Sequence, residues 1–157
     1  KDDATVKYEA GNKYAIAEDV YLSNLPGGLT KKNNQLIDQK YEAAAAAIKE
    51  ALATKADPVV MNELLYYNQI KYLESLVRRY GDNVDKTKLN KLIEDTLATI
   101  HSSKDAENLA LVYIQGVHNL TQQNADTSQY LVTLNFIALG KKNADLAAYL
   151  KSIGVSQ

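Results

Sequence analysis

From Asp57 to Gly81 the chain reads DPVVMNELLYYNQIKYLESLVRRYG. Asp57 can cap free N–H groups, and Pro58 at the first helical position leaves no hydrogen bond unmade. Gly81 is suited to a left-handed C-cap. Between these signals Tyr66, Ile70, Leu73, Val77 and Tyr80 fall on one 3–4 stripe, flanked by Leu65, Gln69, Tyr72 and Leu76. The spacing predicts a long helix over 58–80 with that stripe toward a core. Tyr67 shares the opposite face with Glu63, Lys71, Glu74 and Arg78, so it is expected at the surface.

Outward from this stretch the same pattern repeats. NQLIDQKYEAAAAAIKEALAT, residues 34–54, is rich in strong helix formers and keeps 3–4 spacing through Leu36, Ile37, Tyr41, Ala44, Ile48 and Leu52. Its five-alanine run lets a neighbouring helix approach closely. A further helix is predicted near 85–101, carrying Leu89, Leu92, Ile93, Leu97 and Ile100. Others follow over about 104–122, 126–139 and 143–152. The stretch at 126–139 is apolar nearly all round and so is expected to be central.

The N-terminal part reads differently. Residues 1–12, KDDATVKYEAGN, are polar with one short alternation and predict an extended arm. A short helix is expected over 13–23 with Asn12 as N-cap and Ile16 and Val20 one turn apart, before the Pro26-Gly27-Gly28 connector ends it. The whole is therefore read as one domain of 157 residues. Residues 1–12 form the arm, 13–30 the short helix and connector, and 31–157 the main bundle. The fold class is an all-α antiparallel helical bundle of five to six helices. No fixed repeat of solenoid length is present.

Composition narrows function by exclusion. Hydrophobic residues at 46% and charged residues at 24% are ordinary for a globular domain, so neither disorder nor a membrane domain is indicated. Eighteen basic residues against nineteen acidic ones leave no field to hold a nucleic acid or to draw the chain to an anionic membrane. The most apolar run, Tyr130–Gly140, is about half the roughly 20 residues that a transmembrane helix needs. Cysteine is absent, which removes disulfides, thiolate metal sites and Cys nucleophiles together. That absence, with a chain starting at Lys1 instead of an initiator Met, tilts the expectation slightly toward an exported protein, secreted or of the cell envelope.

Catalytic and metal patterns are missing from the sequence. Neither His101 nor His118 has Glu three residues before it, so the di-metal Glu-x-x-His motif fails. Separated by about 21 Å along an antiparallel neighbour, the two histidines are not expected to share a metal. PGGLTKK lacks the Gly-Lys-Ser/Thr order of a phosphate loop and reads as a connector. The neighbouring acids Asp2-Asp3, Glu18-Asp19 and Glu94-Asp95 point about 100° apart on a helix and read as solvated faces instead of an acid–base dyad. The Asn119-Leu120-Thr121 sequon near a helix end carries no weight. Accordingly no catalytic residue, cofactor or metal is assigned.

Three functions remain. Eleven tyrosines against one phenylalanine and no tryptophan favour half-buried positions and interfaces. The leading expectation is thus a non-enzymatic module that recognises a protein partner through Tyr67, Lys71, Glu74 and Arg78. Arg78 and Arg79 also have a local reading, as last-turn cations that offset the helix dipole. The first alternative is a bundle that holds a small apolar ligand internally. Gly116 is the pocket candidate, although an internal glycine equally lets a helix approach. The second is an enzyme whose Tyr, His and Lys residues converge only in the fold.

Overall fold

A computed structural model of the chain describes residues 3–54 and 56–102, together with the single positions 148 and 151. Four α-helices occupy this region: α1, Asp3–Ser23; α2, Lys31–Leu52; α3, Pro58–Tyr80; and α4, Lys86–His101. A 3₁₀ turn, Gly81–Asn83, joins the last two, and no strand is present among the described residues. The described part of the chain is therefore all-helical. The helices expected beyond residue 103 lie outside the described residues.

Caps set the helix ends. The Thr30 hydroxyl accepts from the Asn33 N–H at 3.1 Å, so α2 begins at Lys31, ahead of Leu36 where the apolar pattern starts. Asp57 accepts from the Val59 N–H at 3.0 Å with Pro58 in the first turn. Asp85 accepts from the N–H groups of Thr87 and Lys88. Each such cap is worth about 1 kcal/mol. Gly81 closes α3 at φ +56°, a backbone setting that side chains rarely tolerate.

The extended arm is corrected. Residues 3–12 are helical and continue without a break to Ser23. Asn12 is not an N-cap but a buried residue in the middle of α1, and Val20 is exposed. The reason lies in the buried face, formed by Thr5, Asn12, Ala15, Asp19 and Leu22. Three of these five are polar, so an apolar periodicity has almost nothing to detect. The face is nonetheless regular, because Thr5, Asn12 and Asp19 recur every seven residues, close to two helical turns.

Side-chain contacts fix the topology. Gly11 of α1 faces Ala44 of α2, and Asp19 faces Tyr41, so α1 and α2 run antiparallel. Asn12 meets Leu64 and Asn68 of α3, while Asp19 meets Arg78, so α1 and α3 run parallel. Asp38 with Tyr80 and Glu42 with Tyr72 make α2 and α3 antiparallel. Helix α3 is the hub, packing against α1, α2 and α4. The larger core cluster joins Ile37, Tyr41, Tyr72, Leu76, Leu89, Ile93 and Ile100, and a smaller one gathers Ile48, Ala51, Met61 and Leu65. Tyr41 and Tyr72 stack at 5.0 Å between ring centroids, 8° from parallel, a contact worth about 0.5–1.5 kcal/mol beyond area burial.

The α3 core face is rotated slightly from its apolar stripe. Met61, Leu65, Asn68, Gln69, Tyr72, Leu76 and Val77 are fully buried, whereas Tyr66, Ile70 and Tyr80 are only partly so. Asn68 belongs to this face because its amide group donates to the Asn12 side chain at 3.1 Å and to the Tyr41 carbonyl at 3.2 Å. The Asn12 amide in turn donates to the Leu64 carbonyl at 3.0 Å. These bonds hold α1 in register on α2 and α3. Replacing Asn12 by Ala takes a hydrogen-bond partner from buried Asn68 and from the Leu64 carbonyl, both on α3, and is expected to cost about 1–3 kcal/mol in urea unfolding. Val20→Ala, on the exposed face of the same helix, should stay within about 0.5 kcal/mol of the parent.

Candidate functional site

Four residues were singled out by spacing on α3: Tyr67, Lys71, Glu74 and Arg78. Tyr67 is 45% exposed. The Lys71 ammonium lies 5.8 Å from the centre of its ring and 3.5 Å from the Glu74 carboxylate. These three side chains thus form one surface strip along two turns of the hub helix. Arg78 stands at the end of the same strip, half exposed, but its guanidinium is committed elsewhere. Its Nη2 donates to both Asp19 oxygens, each at 2.7 Å. Gly116 and His118 lie outside the described residues.

The adjacent arginine is deeply engaged. The Arg79 side chain has no exposed area. Its Nε donates to Ser75 Oγ at 2.7 Å, Nη1 to Asn34 Oδ1 at 2.9 Å, and Nη2 to Asp38 Oδ1. Asp38 also accepts from the Tyr80 hydroxyl at 2.9 Å and faces Lys88 at 3.6 Å. Lys88 pairs with Glu42 at 2.9 Å, and Glu42 accepts from the Tyr72 hydroxyl at 2.9 Å. One chain of charge-assisted bonds therefore joins α2, α3 and α4. A second, Arg78–Asp19–Tyr41, joins α3, α1 and α2. Ser75 touches both guanidiniums.

Electrostatics follow from these contacts. Burial pushes the Asp19 carboxyl up, but hydrogen bonds from Ser75, Tyr41 and Ser23 and the Arg78 charge outweigh it, so Asp19 titrates below its ordinary value of 3.8. Tyr41 and Tyr72 are pushed well above the usual phenol range, first by burial and then by carboxylates, Asp19 for Tyr41 and Asp38 and Glu42 for Tyr72. Burial alone would lower the Lys88 ammonium, yet the hydrogen bond to Glu42 and the charges of Asp38 and Glu42 raise it. Asp19, Tyr41, Tyr72 and Lys88 are thereby each held in the form already carried at neutral pH. Their bonds reach between helices and fix how these pack.

Two sequence expectations change here. Asp19, read as part of a solvated acidic pair, is buried, as is Asp38. The last-turn arginines, read as dipole partners, reach across to α1 and α2. The signal available in the sequence was the presence of only two arginines, adjacent, at the end of the most apolar of the capped helices. Their partners, 41 to 59 residues away, left no local trace.

A further exposed surface escaped the sequence reading. Tyr14 and Tyr21, seven residues apart on α1, are 71% and 64% exposed. Both lie in the stretch 13–23 that the sequence already predicts as helix, where residues seven apart share a face.

Among the described residues no group of three or more His, Cys, Asp or Glu side chains is arranged to hold a metal ion. No described helix is long and apolar enough to cross a membrane. Comparison with protein-family models, curated proteins and solved structures finds no match to this chain.

The arginine network yields two expected outcomes. Arg79→Ala leaves the Asp38 carboxylate buried without its main partner and should cost about 3–5 kcal/mol in urea unfolding. Arg78→Ala, at a half-exposed position where three hydroxyls still serve Asp19, should cost less, about 1.5–3 kcal/mol. For pH, the depressed Asp19 value means that its stabilisation is complete above 3.8 and is lost as pH falls through its lower folded value. The stability gap between the parent and Asp19→Asn should therefore be larger at neutral pH than at about pH 3, as measured by urea titration at each pH.

Proposed function

We propose that the protein is a non-enzymatic helical interaction module that recognises a protein partner through the α3 strip of Tyr67, Lys71 and Glu74, with Arg78 at its edge. The observation that carries this reading is the exposed Tyr67 ring beside the Lys71–Glu74 pair on the helix that the rest of the fold grips. A tyrosine contributes a large contact area for the loss of two torsions, and aromatic and arginine side chains dominate interface energetics. Lys71 lies near both the ring and Glu74, so part of the ordering cost of binding is already met. Paired charges of both signs suit a partner of mixed charge. Arg78 contributes from its exposed half while Asp19 fixes its position. The cysteine-free composition is compatible with a setting outside the cytoplasm, secreted or at the cell envelope.

The test is photocrosslinking from position 67, with position 14 on the exposed face of α1 as the comparison. A partner joined through position 67 is then purified and its affinity measured directly. Tyr67→Ala should weaken that affinity by about 30-fold, corresponding to the 2 kcal/mol typical of an interface anchor. Lys71→Ala should give a smaller loss and a weaker salt dependence. Both variants should unfold within about 0.5 kcal/mol of the parent, because neither position is buried. Equal affinities for the parent and Tyr67→Ala, or partners joined only through position 14, would overturn the α3 strip as the recognition surface.

A further inference from the structure

Helices α2 and α4 flank α3 and leave a groove above it. One part is a hollow of about 270 Å³ walled by Ala45 and Ala46 of α2, Leu92 of α4 and Tyr72 of α3. A second hollow of about 260 Å³ continues toward Leu65 and Thr99. Lys49 of α2 and Asp95 of α4, 3.9 Å apart, line both. Small-molecule pockets begin at roughly 300 Å³, so the first hollow suits a single ring or a short chain.

The charges around the first hollow do not balance. Three ammoniums line it, from Lys49, Lys88 and Lys91, against two carboxylates, Glu42 and Asp95. Lys88 is held by Glu42 at 2.9 Å. Asp38, 3.6 Å from Lys88, is already bound by the buried Arg79 guanidinium. Lys49 and Lys91 are left with Asp95 alone. They stand 3.9 and 3.6 Å from the same oxygen, Asp95 Oδ2, beyond the roughly 2.7–3.2 Å of an N–H···O hydrogen bond. Both side chains are open to solvent, Lys49 at 51% and Lys91 at 75%. One carboxylate thus serves two cations at the mouth of an apolar hollow, in a chain whose formal net charge is -1.

The walls and rim define what fits. A second carboxylate between Lys49 and Lys91 completes the set, with two ammoniums and two carboxylates in alternation and charge-assisted bonds where only loose pairs now stand. An exposed ion pair contributes little by itself. Binding therefore needs a body that also fills the hollow and takes apolar surface out of water. Ala45, Ala46 and Leu92 offer such surface, and the Tyr72 hydroxyl is already used by Glu42. The carboxylates of Glu42 and Asp95 on the lining repel a second negative charge, which favours a monoanion over a dianion. We propose that this groove binds a small monocarboxylate with an apolar aryl or short alkyl body, its carboxylate between Lys49 and Lys91 and its body against Ala45, Ala46 and Leu92. The site shares no residue with the Tyr67 strip and stands or falls without it.

The probes are benzoate, its neutral isostere benzamide, and acetate, which keeps the charge without the ring. Each is titrated into the full chain at matched ionic strength while ¹⁵N–¹H spectra follow the Ala45, Ala46 and Leu92 amides. Benzoate should produce saturable shifts at these amides. Benzamide should bind about tenfold more weakly, as two ion pairs are lost, and acetate should also bind about tenfold more weakly for want of apolar contact. Lys49→Gln and Lys91→Gln should each weaken benzoate about threefold and leave benzamide unchanged. Asp95→Asn removes the competing carboxylate and should tighten benzoate about threefold, the opposite of what loss of a merely structural residue would do. Ala46→Leu, which fills the groove from its exposed edge, should weaken both aromatic probes. Equal affinities for benzoate and benzamide, an unchanged or weaker benzoate affinity in Asp95→Asn, or no saturable shift with tens of millimolar benzoate in a protein whose spectrum is that of the folded parent, would overturn the proposal.

Discussion

A guanidinium with no exposed surface can exist only where other groups replace its water. Arg79 meets that condition with donors satisfied by Ser75, Asn34 and Asp38, and its requirement organises what surrounds it. Moving such a charge from water into the interior costs several kcal/mol unless geometry and hydrogen bonding are complete. Asn34 and Asp38 must therefore sit one turn apart on α2, facing the last turn of α3. That condition fixes the axial register of the two helices in a way that apolar contacts, which tolerate sliding, do not. The Tyr80 hydroxyl and Lys88 complete the shell of Asp38 and bring α4 into the same arrangement.

Helix α1 is attached by a second version of the same logic. Its inward face carries Asn12 and Asp19 where a typical amphipathic helix carries leucines. Asp19 is buried against partners on α2 and α3 and Asn12 against partners on α3, so α1 acquires its position from hydrogen-bond complementarity more than from apolar area. Such a helix is specific in register but weak in generic attraction, because net hydrogen-bond contributions are modest while unmet ones are costly. The close approach of Gly11 to Ala44 adds contact where small residues allow the backbones to near each other.

The division of tyrosines reflects the same economy of polar groups. Tyr41, Tyr72 and Tyr80 place rings in or against the core and send hydroxyls to Asp19, Glu42 and Asp38, of which Asp19 and Asp38 are buried. Phenylalanine at those positions would leave Asp19, Glu42 and Asp38 short of donors. Tyr67, by contrast, shows no such hydroxyl bond and lies open beside Lys71, and Tyr14 and Tyr21 are still more exposed. The described tyrosines thus divide into donors to the internal network and rings left at the surface. The buried amides of Asn68 and Gln69 keep side-chain oxygens that accept no hydrogen bond among the described residues.

Much of the helical framework was legible in local pattern. Asp57-Pro58 and Gly81 bound α3, Asp85 starts α4, and apolar spacing marks the buried faces of α2 and α4, because capping and periodicity are properties of neighbouring residues. The grouping of Tyr67, Lys71 and Glu74 was legible for the same reason: residues three and four apart share a helix face in any fold. What tertiary structure alone decided is which polar residues turn inward. Asn12, Asp19, Asp38 and Asn68 resemble surface residues until partners 22 to 59 positions distant supply their hydrogen bonds. Residues 3–12 become helix rather than an arm for that reason. The stabilising groups lie on α2 and α3, and a polar side chain carries no mark in the sequence of the partner that will make its burial favourable.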